Sequence, residues 1–351
     1  MAIPSYSLAE RWLHWLALEP GFVRDLSFDL ERQFALPPPA EVAAAAAGAV
    51  YVCGLARSGT TLLLHLLDQI DDFRSLNYRD MPFPLAPNLW RRASGLASKK
   101  AVASPRIHGD GMLVDVDSPE GFEEVFWRNF TRYSIRDGIL SADSPSKDAL
   151  TAFADYRAIV ANPRGHPRDG PRRRYLSKNN NNLLRLDWLR QESDATTVLV
   201  FRQPAAAAQS MHATHTRFAA EQARNGFMRR YMAWLCHYEF GLDHKRFVFA
   251  VARMDPRLDP RQPDYWLDYW CAVHEYILTM QGRALYMLDY DALCSTPAAT
   301  LDSLLDALVI DRRRGEALAS QVSLPRPAAN DGFDRTLLAR AQAIHRALRE
   351  R

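Results

Sequence analysis

Between Ala49 and Ile70 the chain reads AVYVC, then GLARSG, then TTLLLHLLDQI, and this stretch constrains the fold more than any other. A short apolar run bounded by glycine predicts a buried strand, and the leucines after Thr60 recur at helical spacing. Gly54 and Gly59 stand five residues apart between the two elements. A strand entering a helix through such a loop points successive backbone amides inward. The helix adds its unpaired first amides and its positive dipole end, so the turn can cradle an anion without bulky side chains. Ser58, Thr60 and Thr61 add hydroxyl donors, and Arg57 adds a planar, permanently charged fork. The plain alternative is a tight strand-to-helix turn carrying an exposed arginine.

A nucleotide-hydrolysing version of this loop carries lysine directly after the second glycine, followed by a hydroxyl residue that ligates magnesium. Here Thr60 occupies that place, and the positive charge has moved inside the loop to Arg57. That arrangement suits neutralisation of phosphate or sulfate without a metal.

A second segment, VLVFRQPAAAAQS, places Arg202 at the end of a predicted strand, Pro204 at the start of a helix, and Ser210 about two turns further on. A guanidinium at a strand tip and a hydroxyl on the following helix can share one further phosphate. Taken singly, Arg202 reads as a surface ion-pair partner and Ser210 as neutral packing. Around these segments RRYLSK, TTVLVFR and RALYMLDY read as strands, whereas NNLLRLDWLRQ, PAAAAQSMHATH, Trp266 to Met280 and PAATLDSLLDAL read as helices. Strands alternating with helices predict right-handed crossovers and a parallel sheet.

Composition excludes several classes. Across 351 residues, 44 basic against 41 acidic side chains leave a net charge of +3, too weak a footprint for general nucleic-acid binding. With 48% hydrophobic and 24% charged residues the chain is not intrinsically disordered. Cys53, Cys236, Cys271 and Cys294 form none of the close pairs of a zinc or redox motif, which points to a reducing compartment. Glu10 and Arg11 interrupt the apolar N-terminal stretch, and no window reaches 18 uncharged apolar residues, so the chain is expected to be soluble and cytoplasmic. Residues 1 to 36 carry apolar side chains at helical spacing until Pro37, Pro38 and Pro39 stop the pattern. Residues 80 to 118, rich in proline and glycine, are expected to form irregular coverings over a site. RGHPRDGPRRR, residues 164 to 174, reads as a solvated loop or as a contact for an acidic ligand.

The pairing of GLARSGTTLL with FRQPAAAAQS, in that order, resembles the sulfotransferase superfamily, with looser similarity from Tyr51 to Leu308 that includes YLSKNN. The resemblance implies a P-loop-like, three-layer α/β fold with a central parallel sheet. It implies 3′-phosphoadenosine 5′-phosphosulfate as donor and adenosine 3′,5′-bisphosphate as product. Arg57, Ser58, Gly59, Thr60 and Thr61 would then surround the 5′ end, Arg202 and Ser210 would hold the 3′-phosphate, and Lys178 would be a further cofactor contact. Gln203 departs from the aspartate that relatives often place after the arginine. The expected division is a helical extension over residues 1–48, the α/β domain over 49–325, and a helical tail over 326–351.

Transfer of a sulfuryl group to a hydroxyl or amine needs a base. Asp80 leads, by its distance beyond the loop in sulfotransferases resembling this one; His108 titrates near neutrality. A third source is the acidic helix with Glu120, Glu123 and Glu124, which capping and solvation also explain. The acceptor is left open among small molecules, carbohydrates, lipids and peptides. Tyr78, Phe83, Trp90, Phe126 and Trp127 can form an aromatic wall for it or belong to the core. Two rivals remain. One is a phosphate-loop kinase or nucleotidase with Asp289 as a magnesium-supporting acid. The other is a binding module for nucleotides or polyanions that uses the arginines of residues 164 to 174.

Overall fold

The computed structural model describes residues 6–95, 104–105, 113–114, 117–162, 173–189, 191–192, 194–280, 285–323 and 332–351. Helix α1 (Leu8–Leu18) opens with a reciprocal cap, in which Ser7 Oγ accepts from the Glu10 amide at 3.2 Å and Glu10 Oε2 accepts from the Ser7 amide at 2.7 Å. Helix α2 (Gly21–Ala35) ends just before the prolines, and Pro39 then starts α3 (Pro39–Ala46), where a first-turn proline sacrifices no helical hydrogen bond.

Among the described residues five strands form the central sheet: β1 (Ala49–Cys53), β2 (Phe73–Arg74), β7 (Arg174–Lys178), β8 (Ala195–Phe201) and β9 (Leu285–Asp289). Their order is β2-β7-β1-β8-β9, and every pairing is parallel. Val52 lies opposite Lys178, Cys53 opposite Leu199, and Phe201 opposite Asp289, so the carboxyl ends of four strands open on one edge. Outside this sheet, the described residues include the antiparallel pairs β3 (Ser104–Pro105) with β4 (Leu113–Val114), and β5 (Tyr133–Arg136) with β6 (Ile139–Ala142).

Alternation along β1 divides the core in two. Tyr51 and Cys53 face one cluster, together with residues of α2, α6 (Glu124–Phe130), α7 (Lys147–Ala161), α9 (Pro204–Arg224) and α11 (Pro263–Thr279). Val50 and Val52 face the other, with α4 (Thr60–Asp68), α12 (Tyr290–Ser295), α13 (Pro297–Ala307) and α14 (Gly315–Ala319). Strands buried on both faces read as continuous apolar runs, which is why AVYVC carries no polar residue. Helix α15 (Arg335–Arg349) buries Ala341 and Leu348, and Arg340 fastens it to Asp268 and Glu275 of α11.

One expected helix is different. NNLLRLDWLRQ forms a 3₁₀ segment, Asn180–Arg185, followed by the single short turn α8 (Leu186–Leu189). Asparagine side chains compete with the helical backbone for hydrogen bonds: Asn179 Oδ1 takes the Asn181 amide at 3.0 Å, and Asn181 Nδ2 donates to the Cys236 carbonyl at 3.1 Å. The described part of 80–118 includes α5 (Pro87–Ser94). His108 and nearly all of residues 164 to 174 lie outside the described residues. Among the described residues no helix is long and apolar enough to cross a membrane.

Candidate anion-binding site

The strand order reverses around β1, whose neighbours β7 and β8 come from later in the chain. Open parallel sheets bind ligands in the crevice that such a reversal leaves beyond the carboxyl ends. There β1 delivers Gly54 to Thr61, β7 delivers Lys178 and the asparagine run, β8 delivers Arg202, and β9 leads into Tyr290.

The loop has the shape its glycines allow. A side chain at Gly54 would collide with the Val200 carbonyl. Gly59 caps α4 at φ +98°, and a side chain there would run into the Tyr290 ring. Arg57 itself is left-handed at φ +72°, a conformation that costs a non-glycine residue on the order of 1 kcal/mol and is typical of functional loops. No side chain caps the start of α4. Ser58 is buried in the loop, and its hydroxyl has no partner among the described residues.

The two segments read separately in the sequence meet here. Arg57 Nε donates to Ser210 Oγ at 3.0 Å, and Arg202 Nη1 lies 3.4 Å from the Arg57 carbonyl. The Arg202 guanidinium stands 5.0 Å above the centre of the Tyr290 ring, while its buried Nε has no partner among the described residues. Burial pushes the Tyr290 hydroxyl up to about 12, so the ring stays neutral beside the cation. Gln203 caps α9, accepting from the Ala206 amide at 2.6 Å, and its own amide donates to Asp291 at 2.6 Å. Gln203, directly after Arg202, thus caps the helix that follows. Unpaired buried donors cost about 1–3 kcal/mol each, so Ser58 Oγ and Arg202 Nε fit a site that an anionic ligand completes.

On the β7 side Lys178 is buried, with its side chain along Gly121. Thr60 Oγ1 donates to Asn180 Oδ1 at 3.3 Å, and Asn180 Nδ2 donates to Glu239 Oε1 at 3.3 Å. Asn180, Glu239 and Tyr290 are residues that the sequence reading missed as parts of the site. The four consecutive asparagines after β7 were the available signal for the first; Glu239 and Tyr290 carried no local one.

The expected bases among the described residues are all hydrogen-bonded within the protein. Asp80 closes a short 3₁₀ turn and is fully enclosed; Oδ1 accepts from Arg91 Nε at 2.6 Å and Oδ2 from the Asn77 amide at 2.9 Å. Both oxygens serve the fold in this arrangement. Glu123 accepts from Trp127, Tyr175, Asn179 and Asn182. Glu124 forms a buried pair with Arg185 at 2.7 Å, although burial raises its pKa. Glu120 accepts from the Tyr78 hydroxyl and the Gly121 amide, both at 2.9 Å. Of the aromatic candidates, Phe126 and Trp127 are core residues, while Phe83 packs on Trp90 at 5.2 Å.

Asp289, Asp291 and His345 hold potential metal-ligand atoms within 4.8 Å of one another. Their carboxylates already have donors. Asp289 accepts from the Asp291 amide and pairs with Arg349 at 3.0 Å, and Asp291 accepts from the Gln203 amide. The cluster ties β9 and α12 to α9 and α15.

The sequence profile described as the Sulfotransferase family matches residues 49–252, more than half of the chain and the span that holds both segments joined by Arg57 and Ser210. Comparison with curated proteins gives no match. Among solved structures, sulfotransferase STF1 from Mycobacterium tuberculosis H37Rv is 13% identical with a TM-score of 0.49, over 94% of this chain and 83% of that one. Sulfotransferase STF9 from Mycobacterium avium is 13% identical with a TM-score of 0.48, over 99% of this chain and 86% of that one.

Proposed function

The chain belongs to the sulfotransferase family, and from that premise we propose that it moves a sulfuryl group from 3′-phosphoadenosine 5′-phosphosulfate to a hydroxyl or amine acceptor, leaving adenosine 3′,5′-bisphosphate. The observation that carries this reading is the 3.0 Å hydrogen bond from Arg57 to Ser210, which joins two anion-binding segments in one crevice. When bound, the donor supplies an activated sulfuryl group on a phosphate leaving group.

The loop amides, Ser58, Gly59, Thr60 and Thr61 hold the 5′ end. Arg57 sits where charge develops on the leaving phosphate, and fixed cations there act without reorganising during the reaction. Arg202 and Ser210 hold the 3′-phosphate, and Lys178 adds a cation from β7. Glu239 takes the acceptor's proton. It is half-buried, and Asn180 fixes one of its oxygens to the Thr60 end of the loop. Asp80 is a positioning residue, holding Arg91 and the 3₁₀ turn that presents Tyr78 to Glu120. The acceptor is a small molecule, carbohydrate, lipid or peptide. Residues 49–325 form the working domain, and the four buried free cysteines suit the reducing cytoplasm.

The test is incubation with labelled donor and a broad acceptor extract, read by mass spectrometry of the sulfated product. Arg57→Ala is expected to lower transfer by about 10²–10³-fold, as loss of a preorganised charge donor does. Equal transfer by the variant overturns the assignment of Arg57. Stabilisation by ATP with magnesium, and none by adenosine 3′,5′-bisphosphate, overturns the donor.

A further inference from the structure

Helix α2 carries Phe22, Leu26, Leu30 and Phe34 at four-residue intervals, and all four are exposed, Phe22 by 71%. This stripe points away from the core, which the helix supplies instead with Phe28 and Ala35. Beside it α1 exposes Leu8 by 84%, Trp12 by 61% and Trp15 by 40%. Fully bare aromatic side chains offer about 150–250 Å2 each, so the seven residues together present roughly 800 Å2 of apolar surface. One partner in a standard interface contributes about 800 Å2.

We propose that this face is the two-fold contact of a homodimer. Trp12 and Trp15 line a groove of about 420 Å3 with Phe227 and Trp234 from the neighbouring segment, a socket for a protruding side chain of the second copy. Charge around the patch is complementary to itself. Arg11 and Arg230 border the groove on the α1 side, and Asp25 and Asp29 flank the α2 stripe, all of them exposed. A two-fold axis that sets α1 of one copy on α2 of the other brings basic rim to acidic rim twice, as an isologous contact requires. An anionic membrane surface fits the α2 side less well, because faces that lie on lipid carry lysine and arginine along both flanks. Asp25 and Asp29 occupy that position here.

Sedimentation velocity of the full chain, with flotation on anionic phospholipid vesicles in parallel, tests this. The expected species is twice the 39.9 kDa chain mass. Phe22→Arg combined with Leu26→Arg is expected to give monomer with an unchanged circular-dichroism spectrum. As a second variant on the other helix, Trp12→Gln is expected to weaken self-association about 30-fold, as loss of a central aromatic anchor does. A wild-type chain that stays monomeric, floats with vesicles as a monomer, or remains dimeric in both variants overturns the proposal.

Discussion

Replacing Gly59 with alanine tests the loop geometry by a route independent of ligand. Two costs add. The left-handed backbone at φ +98° charges an L-residue about 1 kcal/mol. The new methyl meets the body of the Tyr290 ring rather than a flexible tip, and overpacking of that kind costs about 1–3 kcal/mol. The expected loss is about 2–4 kcal/mol. Unfolding entropy near 2.1 cal mol−1 K−1 per residue gives about 0.7 kcal mol−1 K−1 for this chain, so Tm should fall by roughly 3–6 °C. Tyr290→Ala removes the obstacle but not the backbone strain. In a double-mutant cycle followed by thermal unfolding, the pair should therefore recover about 1–3 kcal/mol relative to the sum of the single changes. Gly95→Ala, where nothing among the described residues lies within 4 Å of the added carbon, is the control and should be neutral or slightly stabilising. Additivity of Gly59→Ala and Tyr290→Ala to within about 0.5 kcal/mol would refute the contact between loop and ring.

Acid should unfold the protein through its buried imidazoles. Burial pushes His244 and His274 down to about 3, so both stay neutral in the fold, while the unfolded chain takes up protons below about 6.5. Their stabilising effect is complete above that pH and declines as pH falls from 6.5 toward 3, by about 1.4 kcal/mol per pH unit for each group. Urea unfolding at pH 7, 6 and 5 should show the decline, and His274→Phe should remove one proton's worth of slope; an unchanged slope contradicts the assignment. Asp80→Asn strips the partner from Arg91 and should cost about 3 kcal/mol of stability. If Asp80 were instead the base, the folded variant would also lose kcat about 10²–10⁴-fold, a loss expected here of Glu239→Gln with its Tm unchanged.

The strand, loop and helix from Ala49 to Asp68 were legible because every determinant is local: apolar run, two glycines, leucine spacing. Arg202 at a strand tip and Pro204 in a first helical turn were legible for the same reason. What joins the site was not. Arg57 and Ser210 are 153 residues apart, and no periodicity encodes their contact. Asp80 was expected as a base from its distance beyond the loop in the sulfotransferases it resembles; that Arg91 pairs with its carboxylate is a tertiary fact which spacing does not encode. The asparagine run misled in the opposite direction, since its leucine spacing outweighed side chains that capture backbone amides. Asp137 and Gly138, left-handed at φ +48° and +74°, were a hairpin signal in the sequence that went unread. Helical spacing in residues 1 to 36 located α1 and α2 but hid their second apolar face, because periodicity alone does not say which stripe is buried.

The central claim is that one crevice grips both ends of a doubly anionic adenylate, and calorimetric titration measures this directly. Arg202 and Ser210 offer two charge-assisted contacts worth about 1.5 kcal/mol or more each, so adenosine 3′,5′-bisphosphate should bind about 100-fold more tightly than adenosine 5′-monophosphate. Arg202→Ala should erase most of that preference while leaving the monophosphate affinity nearly unchanged. Equal affinity for the two nucleotides in the wild-type protein would contradict the account.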